Sequence, residues 1–220
     1  MELPAQLFPA PLLYTALGLY GLALLRALWQ APWWRLRDPV AQHAWLALTV
    51  VVLLLWQIRA QLPTGIAIHL LGATLLTLMF GRQFALLSLG LVLLVDCALG
   101  RADWAAFGLN GLLTGLLPVA LSWHFGRLVA NRLPRHFFVY IFLNAFLGGA
   151  LAIAACTLAG AGLLGLAGGF GAGQLLHHHA GSLLLVFPEG FITGMLMTLF
   201  VVYAPGWVTT FRDEYYLAGK

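Results

Sequence analysis

Residues 65–80 read Gly-Ile-Ala-Ile-His-Leu-Leu-Gly-Ala-Thr-Leu-Leu-Thr-Leu-Met-Phe, an apolar run whose one titratable group is His69. The run predicts a hydrophobic helix over 66–80 with His69 just inside its start. An imidazole at that depth is costly unless something pairs with it, so it is a candidate functional group. Taken alone, His69 reads more simply as a neutral histidine bonded to a neighbouring carbonyl. Whether it has company depends on the rest of the chain.

Outward from this run the pattern repeats. Of the 220 residues 62% are hydrophobic and 8% charged, whereas soluble domains carry about 25% charged residues. The composition places the chain in a bilayer and excludes a disordered one. Apolar segments at 8–29, 44–58, 66–80, 84–99, 104–125, 137–158 and 182–203 predict helices, each span needing about 20 residues. The fold expected is all-α: a polytopic integral membrane helical bundle of about seven transmembrane helices, a single transmembrane domain over 1–220. The third and fourth segments are short, which leaves a six-span count open. The glycine-rich stretch 159–174 reads as a loop or re-entrant segment.

The charge distribution sets the orientation. Arg26, Arg35, Arg37, Arg82, Arg127, Arg132, Arg135, Arg212 and Lys220 fall on one side of a seven-span bundle, and Arg59 and Arg101 on the other. Basic residues mark the cytoplasmic side, so the N-terminus is expected outside and the C-terminus in the cytoplasm, in a multi-pass protein of the plasma (inner) membrane. The net charge of +4 is scattered singly and does not form a nucleic-acid stripe. No signal-peptide pattern precedes the first segment, which is expected to be retained. Cys97 and Cys156 have neither zinc spacing nor a disulfide framework.

With that orientation, Glu2, His69, Asp96, Asp103, His177, His178, His179 and Glu189 gather at the outer ends of the helices. Imidazoles and carboxylates converging at one end of a bundle suit a divalent transition metal. Each residue also has a plainer reading. The triplet His177-His178-His179 reads equally as a solvated loop, Glu189 as the partner of a kink at Pro188, and Asp96 as the ion-pair partner of Arg101. Asn110 fits an outer-shell role or a helix–helix contact.

Four stretches carry a resemblance. Met1-Glu2-Leu3-Pro4-Ala5-Gln6-Leu7-Phe8 is similar to the N-terminus Met-His-Ile-Pro-Asp-Gly-Phe-Leu of the substrate-capturing membrane subunits of cobalt and nickel energy-coupling-factor ABC transporters (CbiM/NikM-like). Ile68-His69-Leu70-Leu71-Gly72 resembles that family's Val-His-Leu-x-Gly, and Phe107-Gly108-Leu109-Asn110 its Leu-Gly-x-Asn. Glu189-Gly190-Phe191-Ile192-Thr193 resembles its Glu-Gly-x-Ile-Thr. The resemblance implies a metal held by the Met1 amine, the second residue and His69. Here Glu2 replaces the family's histidine and Asp96 stands where glutamine is usual. A carboxylate is a harder ligand than imidazole. Either the ion has changed, with Glu2, Asp96 or the histidine triplet compensating, or transport has been lost.

The function expected is capture and uptake of a nickel- or cobalt-type cation, zinc and copper being further candidates. The resemblance implies an energising transmembrane subunit and ATPase subunits as partners. This chain has no Gly-x-x-x-x-Gly-Lys-Ser/Thr loop to cradle nucleotide phosphates. A non-transporting or regulatory subunit of the same fold is the alternative. A metal-dependent membrane enzyme ranks lower, for want of a His-Glu-x-x-His pair.

Overall fold

A computed structural model describes residues 2–61, 66–167 and 183–212. Among the described residues seven helices form the bundle: α1 (Ala10–Gln30), α2 (Pro39–Gln57), α3 (Ala73–Phe80), α4 (Arg82–Ala98), α5 (Trp104–Arg132), α6 (Phe137–Leu166) and α7 (Val186–Tyr203). Two short strands, β1 (Ala60–Gln61) and β2 (Ala67–Ile68), pair antiparallel between α2 and α3. Helices α1, α2, α5, α6 and α7 are long and apolar enough to cross a membrane. Exposed Leu19, Leu22, Leu25 and Trp29 on α1 make an apolar outer face that suits lipid rather than water.

Helix α5 is the axis of the bundle and packs against α1, α3, α4 and α6. Its approach to α1 is set at Gly108, where a Cβ would lie 2.2 Å from the Leu17 Cα. Only a residue without a side chain permits that crossing. Both α5 and α6 widen into π turns, at Gly111–Leu116 and Tyr140–Leu147. At the start of α2, Asp38 accepts a hydrogen bond from the Val40 N–H and Pro39 takes the first helical position, where proline has no bond to lose.

The expected helix over 66–80 is corrected. Helix begins only at Ala73, because the backbone of 67–68 is already committed to β1 and to Glu2, which bridges Ala67. His69 therefore sits in a non-helical segment directly after β2. Helix α3 has 8 residues, about 12 Å of rise, and does not cross by itself. The non-helical residues 66–72 precede it, and together they carry the chain from the Glu2 end of the bundle to the Arg82 end. Gly72 makes the junction: its φ of +65° is left-handed, and a Cβ there would meet Val52 Cγ2 at 2.9 Å. At the far end of α3 the carbonyls of Leu78 and Met79 accept hydrogen bonds from Thr210 and Thr209, satisfying a helix terminus that would otherwise be orphaned.

Other boundaries shift as well. Helix α5 continues past 125 to Arg132, and α6 past 158 to Leu166, so the glycines at 160, 162 and 165 are helical. Helix α7 starts at Val186 rather than 182. Beside the main core, a smaller apolar cluster of Leu3, Phe8, Ile66, Ile68, Leu109 and Leu164 anchors the N-terminal segment.

Candidate metal centre

The N-terminal segment is threaded into the bundle and bridges β2 at Glu2. Glu2 N–H donates to the Ala67 carbonyl at 2.8 Å, and Ala67 N–H returns a bond to the Glu2 carbonyl at 3.1 Å. One residue on, Asn110 clamps the backbone of Leu3, accepting from its N–H at 2.8 Å and donating to its carbonyl at 3.0 Å. Ala5 N–H donates to Asp103 at 3.0 Å. Leu3 itself is 1% exposed, a burial worth roughly 1.5–3 kcal/mol. These contacts fix the second residue of the chain beside β2.

The Glu2 carboxylate and the His69 imidazole consequently face one another, Oε1 to Nε2, at 3.7 Å. His69 Nδ1 lies 2.9 Å from the Leu70 carbonyl. A carbonyl only accepts, so Nδ1 carries the proton and, in neutral imidazole, Nε2 presents its lone pair. The ring packs on Trp56, centroids 4.4 Å apart, and the Trp56 indole N–H donates to the Leu71 carbonyl at 3.1 Å. Glu2 Oε1 is buried and accepts no hydrogen bond among the described residues. The carboxylate oxygen and the imidazole nitrogen thus face one another as two potential ligand atoms. Their separation is close to the roughly 3.4 Å between two tetrahedral ligands with metal bonds of about 2.1 Å.

Arg59 neutralises the other side of this cluster. It donates to Glu2 Oε2 at 3.0 Å, to Asp96 Oδ2 in a shorter contact, and through Nε to the Trp56 carbonyl at 2.9 Å. Gln57 donates to Asp96 Oδ1 at 3.1 Å. The side chains of Arg59, Glu2 and Asp96 are 6%, 5% and 0% exposed. Burial pushes the Glu2 carboxyl up to about 7 despite the opposing pull of Arg59. The expected pairing of Asp96 with Arg101 is corrected: Arg101 and Ala102 reach only the Asp96 backbone carbonyl. Arg59, read from the sequence only as a topology signal, was the group missed. It is one of just two basic residues predicted on the outer side, where two buried carboxylates needed a counter-ion.

Glu189 stands apart from this cluster. Its Oε2 and Oε1 accept the backbone N–H groups of Leu71 at 2.7 Å and Gly72 at 2.9 Å, so it pins the segment that carries His69. Of the residues named from the sequence, Glu2, His69 and Asp96 share one neighbourhood, with Asn110 holding the strand beside it. Met1, His177, His178 and His179 lie outside the described residues. Among the described residues no three His, Cys, Asp or Glu side chains are grouped closely enough to enclose an ion. Cys97 and Cys156 are separate buried thiols.

Comparison with known proteins matches residues 2–207 to a family described as the cobalt uptake substrate-specific transmembrane region, CbiM. Two crystal structures share the fold. One, described as a truncated transition metal transporter, has a TM-score of 0.73 at 21% identity, covering 94% of this chain and 99% of its own. The other, described as a transition metal transporter, has a TM-score of 0.74 at 21% identity, covering 90% and 92%. No curated protein matches significantly.

Proposed function

The chain belongs to the CbiM family of cobalt uptake transmembrane components, and we propose that it captures a nickel- or cobalt-type divalent cation at the Glu2–His69 end of its bundle. It is a multi-pass membrane protein of a transport family, not of an enzyme family. On this reading it is the substrate-binding subunit of an energy-coupling-factor ABC transporter. An energising transmembrane subunit and ATPase subunits on other chains drive release of the ion inside. The chain makes seven passes, the third being the non-helical segment 66–72 followed by α3. The N-terminus lies outside and the C-terminus in the cytoplasm.

The observation that carries the reading is the facing pair of Glu2 Oε1 and His69 Nε2. Glu2 takes the place of the histidine that the family's N-terminus shows, and the Met1 amine, one residue before it, is the natural further ligand. Asp96 is the next donor available if Arg59 releases it. A second reading, a subunit that keeps the fold but carries no metal, is favoured by Arg59, whose guanidinium already supplies positive charge between the two carboxylates.

Metal titration of the purified protein with nickel, cobalt, zinc and copper, followed by elemental analysis, separates these. Capture predicts one tight equivalent, lost in His69→Ala. Loss confined to a triple His177/His178/His179→Ala variant would instead locate binding in the histidine triplet. Wild-type protein that binds none of the four would end the uptake reading.

A further inference from the structure

We propose that Arg59 is a resident competitor of the transported cation, and that a divalent ion enters the Glu2–His69 site by displacing its guanidinium. The inference rests on the capture reading above and concerns what sets the affinity of that site.

The first argument is charge. The buried cluster holds two carboxylates, Glu2 and Asp96, against one guanidinium. A divalent ion added with Arg59 in place leaves an excess of positive charge in a region almost closed to water, where like charges repel strongly. The same ion with Arg59 withdrawn balances the two carboxylates.

The second argument is geometry. Arg59 grips Glu2 by Oε2, while the other oxygen of that carboxylate, Oε1, faces His69. An ion on Oε1 and Nε2 therefore shares a single carboxylate with the guanidinium. Both Asp96 oxygens are engaged, Oδ1 by Gln57 and Oδ2 by Arg59. Release of Arg59 frees Oδ2 to turn toward an ion.

Displacement also reaches beyond the site. Arg59 Nε is bonded to the carbonyl of Trp56 in the last turn of α2, and Arg59 leads directly into β1, which pairs with β2 beside His69. Releasing the guanidinium undoes the tie between the N-terminal strand, α4 and the end of α2. Occupancy is thereby converted into a loosening of α2 against the rest of the bundle.

A purely structural ion pair predicts the opposite sign for the decisive variant. If Arg59 only organised the ligands, Arg59→Gln would weaken binding. If it competes, Arg59→Gln tightens cobalt and nickel binding by about tenfold or more, since it removes charge-assisted bonds that metal entry must break. Isothermal titration in nanodiscs reads this, with Arg59→Lys expected between the two. A second measurement needs no variant: phenylglyoxal labelling of Arg59 in the wild-type chain, quantified by mass spectrometry, should rise several-fold on cobalt loading while Arg101 labelling holds steady.

Wild type that binds, with Arg59→Gln folded but no tighter or with Arg59 labelling unchanged by cobalt, would overturn the assignment and leave the capture reading standing. Wild type that is silent while Arg59→Gln binds would keep Arg59 as the competitor and remove the uptake reading. Silence in both overturns both.

Discussion

Replacing Glu189 tests whether the His69 segment is held from the side opposite the cluster. The carboxylate of this residue, 2% exposed, accepts the N–H groups of Leu71 and Gly72 at 2.7 and 2.9 Å. Both donors lie just before α3, where a negative charge also complements the helix dipole. Glu189→Ala orphans two buried N–H groups at about 1–3 kcal/mol each, so the expected loss is about 2–6 kcal/mol. Glu189→Gln keeps one acceptor oxygen and turns an amide toward the other N–H, for a loss of about 1–3 kcal/mol. Reversible unfolding in mixed micelles titrated with SDS measures both. Metal affinity should fall in the same order, because Gly72 is three residues from His69 and its backbone sets where the imidazole lies. An Ala variant within 1 kcal/mol of wild type would refute the clamp. A variant that loses metal binding with no loss of stability would instead point to direct coordination by Glu189.

Two further outcomes follow from the geometry. Gly108→Ala puts a methyl group 2.2 Å from the Leu17 Cα; since backbone cannot yield as a flexible side chain does, the α1–α5 crossing must open, with a loss of at least about 1–3 kcal/mol and a lower melting temperature. An unchanged melting temperature would mean that the two helices do not cross so closely. The pH profile of metal-free stability isolates Glu2 when wild type is compared with Glu2→Gln. The folded value, about 7, lies above the ordinary 4.5, so the folded state holds this proton more tightly and its advantage is complete below 4.5. The wild-type minus variant stability should therefore fall as pH rises from 4.5 to 7, by up to about 1.4 kcal/mol per pH unit, and level off above. A difference that rises with pH over that window would show that Arg59 outweighs burial.

The helices were legible because lipid selects for composition: long apolar runs with charge confined to their ends admit few other structures. Segment 66–80 was misread for the same reason. Its apolar run carries no mark of where helix begins, since that is decided by partners distant in sequence: Glu2 bridging Ala67, and Glu189 accepting from Leu71 and Gly72. Periodicity reports what a segment buries, not which backbone groups are already bonded elsewhere.

The site shows the same division. His69, Glu2 and Asp96 were legible as ionisable groups in an apolar setting, since each is conspicuous by itself. Arg59 was not, because at the edge of a membrane an arginine ordinarily marks topology and the same residue type serves equally as a buried counter-ion. What separates the two roles is the balance of charge at one end of the bundle. Two carboxylates enclosed there with no cation would be far costlier than the same pair bridged by a guanidinium, and of the two basic residues on that side only Arg59 follows α2 closely enough to reach both. Counting unpaired acids against the cations within reach, before assigning any of them to a metal, is the step that would have found it from the sequence.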